Sequence, residues 1–124
     1  MFIGGRNGSA FPYDTSPYST YTYHPDWNDG VSPYTAPVGN FSANGYGLYD
    51  LSGNVYEWCN DWYDEDYYDY SQTDNPTGPT EGSNRVVRGG AFGFTAVSCR
   101  VADRYRVYPA TRIAIGFRII LDLE

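Results

Sequence analysis

The sequence contains no lysine: all 8 of its basic residues are arginine, set against 15 acidic residues, for a formal charge of −7. A surface built for general phosphate binding needs a cationic excess, so nucleic acid is excluded as a partner class. Histidine occurs once, at His24 beside Pro25, and is read as a surface or packing residue, because catalytic histidines need an orienting partner. Two cysteines, Cys59 and Cys99, are too few to indicate a redox compartment. No apolar run approaches the ~20 residues of a membrane span. The opening MFIGGRNGSAF has neither the charged leader nor the apolar core of a secretory signal, and the compartment is left open.

What is abundant is aromatic. Aromatics make up 19% of the 124 residues, including 14 tyrosines, alongside 14 glycines and 8 prolines. That mixture favours one loop-rich domain over residues 1–124, with a core of aromatic plates, because disordered chains carry few aromatics. Charge is segregated: six of the eight arginines follow residue 87, while Asp61 to Tyr70 (DWYDEDYYDY) holds five carboxylates among five rings. That stretch reads as a solvated acidic loop, with a second cation site or an acidic contact surface as the sharper alternatives.

Residues 1–34, rich in Tyr, Pro, Gly, Ser and Thr, show no helical or alternating pattern. Pro37 disfavours helix before it, and Ala43-Asn44-Gly45 predicts a turn. The organising stretch follows: GYGLYDLSGNVYEWCNDWY, Gly45 to Tyr63. Its glycines permit tight backbone turns, and VYEW predicts a strand. Asp50, Asn54 and Glu57 place oxygens among apolar neighbours, where a carboxylate must be hydrogen-bonded, paired or bound to a cation. RVVRGG (Arg85 to Gly90) predicts a second strand, and GFRIILDL (Gly116 to Leu123) a last one, its near-continuous apolar run suggesting cover on both faces.

With TAPVGNFSANGYGLYDLSGNVYEWCNDWY, RVVRGG and GFR in this order, the chain resembles the formylglycine-generating enzyme (sulfatase-modifying factor) family. The resemblance implies an α+β, C-type-lectin-like fold, loop-rich, with short antiparallel strands and little helix. It also implies an N-terminal part shortened relative to the family, or completed by another chain.

A structural Ca²⁺ is implied on the Asp50 and Glu57 carboxylates and the Gly53 and Val55 carbonyls. The chemistry agrees, since calcium takes six to eight oxygens and a glycine-bearing turn can aim carbonyls inward between two carboxylates. The alternative is a carboxylate satisfied by backbone N–H groups. A second site near Asp29 matches too loosely to assign.

The family's enzymes bind copper through two cysteines after the RxGG block, because soft thiolates select Cu(I). Here that segment is GGAFGFTAVSCRVADR, with one cysteine, Cys99, and Phe94 where a first thiolate belongs. No copper, no catalytic residue and no enzyme activity are expected on this reading. Family-type folding brings Cys59 and Cys99 near one another, as a disulfide or as two buried thiols.

Between the fixed anchors of residues 91–115, where relatives carry Asn and Ser, the chain has Ala, Phe, Gly, Thr, Val, Ser, Asp, Tyr and Ile, with one further arginine, Arg106, and no Asn. All nine are reachable from an Asn codon by changing its first two bases. This is similar to the variable proteins of diversity-generating retroelements, which use the same fold. The expected ligand-binding surface is Ala91, Phe92, Gly93, Phe94, Thr95, Val97, Ser98, Val101, Asp103, Tyr105, Val107, Tyr108, Ala110, Thr111, Ile113 and Ala114. The rings give contact area and the small polar groups hydrogen bonds to a protein or other macromolecular ligand. An ordinary drifted loop is the competing reading. Gly90, Arg88, Arg100, Arg104, Arg112 and Arg118 are expected to hold the scaffold.

Overall fold

A turn through two left-handed residues, Gly53 (φ 80°) and Asn54 (φ 65°), launches the central strand. Glycine adopts this geometry freely, and asparagine tolerates it better than most residues. The computed structural model describes residues 35–94 and 96–121. The expectations for residues 1–34, including His24 and Asp29, and for Thr95 lie outside the described residues.

Strand β1 (Tyr56–Trp62) carries the β-prone VYEW text as predicted. Beside it runs β2 (Arg85–Arg88), then β3 (Tyr105–Val107), and on the opposite edge β4 (Ile115–Gly116). The sheet order is β3-β2-β1-β4. β1 and β2 are antiparallel, Glu57 opposite Arg88 and Trp58 opposite Val87, with an irregular register before Trp62 meets Arg85. β3 is antiparallel to β2. β4 pairs parallel to β1, Tyr56 with Ile115, so the sheet is mixed where antiparallel strands alone were expected. Among the described residues helix is confined to one turn, α1 (Tyr67–Tyr70), and a 3₁₀ turn (Ala96–Cys99). The predicted turn after Ala43 forms around Asn44, whose Oδ1 accepts from the N–H groups of Tyr46 and Leu48.

The core lies where β1 and β2 meet. Tyr56, Val87 and Ala91 are buried together, and Trp58, Val107, Ala114 and Ile115 pack against them. Ala91 is therefore a core residue and not part of a surface. A methyl group that follows the two glycines after β2 is carried under the sheet. Val107 and Ala114 likewise face inward in part. The expectation of a doubly covered last strand is also corrected. Pairing ends at Gly116, and Phe117, Ile119, Ile120 and Leu121 are largely exposed among the described residues.

Two of the anticipated anchors tie the C-terminal segment to the rest of the fold. Arg88 Nη1 donates to the Val101 and Asp103 carbonyls at 2.9 and 3.0 Å. Arg104 donates to the Asp64 and Glu65 carbonyls and lies over the Tyr68 ring at 4.3 Å. Arg100 holds only its own turn: its side chain is 66% exposed, donates to the Val97 carbonyl at 3.3 Å and reaches Asp103 at 3.6 Å. Being three residues from Asp103 on the outer side of a turn, it pairs in water, where such contacts are worth little. Arg112 is exposed as well.

Gly90 has the tightest surroundings. At φ 73° it sits against Cys99, and an added Cβ would collide with the Cys99 sulfur and lie 3.1 Å from the Ser98 carbonyl oxygen. Gly90→Ala is expected to cost about 2–4 kcal/mol, from left-handed strain plus overpacking. Gly45→Ala, with open space around it, is expected to stay within about 0.5 kcal/mol of the parent. Denaturant midpoints check both, and equal losses at the two positions would refute the close approach.

Candidate cation site and binding surface

All four residues assigned to a cation line one cavity of about 230 Å³: Asp50, Gly53, Val55 and Glu57, with Gly39, Asn54, Phe117 and Arg118 completing the wall. The fold builds this from three segments. Asn54 holds the lead-in, its Oδ1 accepting from Ala36 N–H at 3.0 Å and its Nδ2 donating to the Ala36 carbonyl at 3.1 Å. Gly39 N–H then donates to Asp50 Oδ2 at 2.5 Å. Asp50 itself is left-handed, at φ 52°.

The other oxygen, Asp50 Oδ1, is buried without a hydrogen-bond partner. A buried carboxylate oxygen left alone is costly, and a hard cation would satisfy it. Glu57 is differently placed, with both of its oxygens engaged by Arg118, at 2.5 Å to Nε and 2.6 Å to Nη2. Arg118 Nη2 also donates to the Asp50 carbonyl at 3.0 Å. The pairing with Glu57 raises the Arg118 pKa above its ordinary value. Among the described residues no cluster of three or more His, Cys, Asp or Glu could hold a metal. Asp50 and Glu57 are the two carboxylates that line this cavity.

A larger cavity of about 520 Å³ lies on the other side of Glu57 and Arg118, lined also by Trp58, Cys59, Arg88, Cys99, Val101 and Ile120. Cys59 and Cys99 are both free thiols and share this wall. Burial pushes both thiols above their usual pKa, offset at Cys59 by Arg88 and at Cys99 by the Gly53 N–H. Raised thiols are poor nucleophiles at neutral pH.

The expected ligand surface divides by burial. Val101, Ile113 and Tyr108 project freely, at 93%, 81% and 65% exposure, and Val97 and Ala110 are exposed too. Phe94 and Tyr105 are intermediate in character. Their rings sit 5.1 and 5.6 Å from the buried Tyr56 ring and 6.2 Å from each other, yet each keeps an exposed edge. Phe92, Gly93, Ser98, Asp103 and Thr111 are half-buried. Within the acidic stretch Asp64 accepts from Tyr70 O–H and Asp66 N–H, while Glu65 pairs with Arg106 at 3.8 Å.

Gly39 is not legible as part of the site from sequence, Asn54 is legible only as an oxygen donor and Arg118 only as a scaffold residue. The Asn54 role was hidden because its partner lies 18 residues away. Arg118 and Glu57 are 61 residues apart, and no local spacing reports such a pair.

Known proteins match this chain in sequence and in fold. A family model described as the sulfatase-modifying factor enzyme 1-like domain matches residues 3–123. The formylglycine-generating enzyme of Streptomyces coelicolor is 47% identical over 94 residues, 73% of this chain and 30% of that protein. The serine/threonine-protein kinase pkn1 of Chlamydia caviae is 47% identical over 87 residues, 68% of this chain and 14% of that protein. The chain therefore spans less than a third of the length of these curated relatives. Among solved structures, Treponema denticola variable protein 1 superposes with a TM-score of 0.58 at 36% identity, over 73% of this chain and 33% of that one. PvdO from Pseudomonas aeruginosa gives 0.62 at 31% identity, over 92% and 46%.

These neighbours share the loop-rich, C-type-lectin-like architecture expected from the motifs. They also correct the expectation that the chain is not an enzyme, because relatives 41% to 47% identical to it are named formylglycine-generating enzymes.

Proposed function

This chain belongs to the sulfatase-modifying factor enzyme 1-like family, and on that premise we propose that it binds a protein or other macromolecular ligand through a diversified C-terminal surface, on a scaffold stabilised by calcium. The observation that carries the proposal is the separation of backbone support from side-chain display. Arg88 fixes the Val101 and Asp103 carbonyls from beneath, while the Val101 side chain stands in solvent. Tyr108 and Ile113 extend the same pattern. A surface with several exposed apolar side chains has the character of an interaction site, and rigid rings above a fixed backbone lose little entropy on binding. The similarity to a protein named variable protein 1 supports the reading.

Replacing Val101, Tyr108 and Ile113 together by Ser is expected to shift stability by less than about 0.5 kcal/mol per site. Arg104→Ala, which removes two hydrogen bonds to carbonyls, is expected to cost about 1–3 kcal/mol. Thermal melts decide this, and a triple variant as unstable as Arg104→Ala would overturn the display reading. The adjoining DNA gives the second arm. Diversification requires a near-copy of the codons for residues 91–115 that differs only where the copy has adenine.

Calcium would be held by the Asp50 and Glu57 carboxylates with the Gly53 and Val55 carbonyls, where it would tie the turn before β1 to the lead-in. A ligand at a hundred times its Kd stabilises by about 2.7 kcal/mol. Excess chelator is therefore expected to lower the melting temperature by several degrees, and Glu57→Gln to abolish the calcium response. Identical melting in chelator and in millimolar calcium would refute the site.

A second reading is favoured by the cavity that Cys59 and Cys99 share. The relatives' name points to formylglycine generation, and paired thiols are the soft ligands Cu(I) prefers. On this reading the chain oxidises a cysteine-containing peptide with dioxygen as the electron acceptor and copper as the mediating metal. Turnover is expected to fall to background in Cys99→Ser and in Cys59→Ser. Turnover that survives both substitutions would place the chemistry elsewhere.

A further inference from the structure

The guanidinium of Arg118 stands where a cation at Asp50 and Glu57 would have to act. Its Nε and Nη2 close a two-pronged pair with Glu57, and Nη2 reaches on to the Asp50 carbonyl. A single arginine thus bridges the two residues that carry the carboxylates of the proposed site. It leaves Asp50 Oδ1 buried and unpartnered on the far side. One positive charge satisfies Glu57 and not Asp50. A divalent ion in the 230 Å³ cavity can satisfy both.

We propose that Arg118 is the resident counter-ion of the cation-free protein, and that a divalent cation displaces it from Glu57 on binding. The proposal rests on the calcium reading above and adds to it an exchange of partners. Neither state leaves Glu57 unpaired, so the carboxylate never carries the penalty of an isolated half-buried charge. The pair is only moderately screened, at 34% and 25% side-chain exposure. It therefore competes with the ion and lowers its apparent affinity.

The exchange has a second consequence. Glu57 and Arg118 also line the 520 Å³ cavity, with Trp58 and Ile120. They form the wall between the two cavities, so a guanidinium that leaves Glu57 must change the larger one. Arg118 lies in the exposed segment after β4, where the backbone is free of sheet pairing among the described residues. The cation and whatever occupies the larger cavity would then act on one another, through a side chain with two discrete partners.

The test uses calcium alone as the probe. Arg118→Lys keeps the charge and removes the planar fork that grips both oxygens, so it separates partner exchange from long-range repulsion. Titration calorimetry on this variant is expected to show calcium binding about three- to tenfold tighter than in the parent. In the parent, the Arg118 Nε–H resonance, held by Glu57 without calcium, is expected to shift and exchange faster with water when calcium is added. Equal affinity in the two proteins, with an unmoved Nε–H resonance, would overturn the exchange and leave the calcium site standing. No calcium binding by either protein would remove the calcium site and the exchange with it. If Arg118→Lys does not fold, the Nε–H response of the parent decides alone: a shift supports the exchange and a static resonance refutes it.

Discussion

Everything described in this domain depends on what the Gly53–Asn54 turn holds together. The Asn54 side chain grips Ala36 in both directions, and its carbonyl accepts from Phe92 N–H at 2.8 Å. The preceding Gly53 N–H donates to the Gly89 carbonyl. Lead-in, central strand, second strand and the start of the displayed segment thus meet at two residues, both left-handed. Such a geometry persists only when its surroundings over-determine it. Here those surroundings are two distant stretches of chain, the lead-in at Ala36 and the run from Gly89 to Phe92.

From that junction the division of labour follows. On one side the turn presents Asp50, Gly53, Val55 and Glu57 to a small cavity. On the other, the Gly89-Gly90 step passes close enough to Leu51 and Cys99 that no side chain fits at Gly90. Cys99 ends the 3₁₀ turn, and the segment after it is pinned by Arg88 to the central sheet. The displayed side chains stand on backbone that is fixed twice, once by the glycine contact and once by arginine. This makes variation at Val101 or Tyr108 compatible with an unchanged scaffold, since side chains that touch little else contribute little to stability.

The aromatic richness of the chain serves this arrangement unevenly. Tyr56 is buried with Phe94 and Tyr105 against it, so two of the rings anticipated as pure contact surface are also part of the packing. Tyr63 and Tyr68 instead form platforms for Arg104, a pairing in which guanidinium and ring are both only partly desolvated. The lack of lysine fits this use of cations: a planar guanidinium grips both oxygens of a carboxylate through a fixed fork, a geometry an ammonium lacks.

The sequence by itself determined the family fold, the central strand through VYEW, the second strand through RVVR, the turn at Asn44 and the grouping of Asp50, Gly53, Val55 and Glu57. The strands and the turn are set within a few residues by local rules, through β-branched and aromatic runs and asparagine and glycine at the turn, whereas the fold and the grouping of the four residues follow from the resemblance of the motifs to the family. Tertiary structure alone decided that Ala91 is core, that Arg100 is exposed while Arg104 is held, and that Phe117 to Leu121 lies beyond the sheet. It also decided that Glu57 is paired with Arg118 across 61 residues. The physical reason is common to all four. Burial and ion pairing depend on which distant segment arrives alongside, and an apolar run or a lone charge looks the same in sequence whether that segment comes or not.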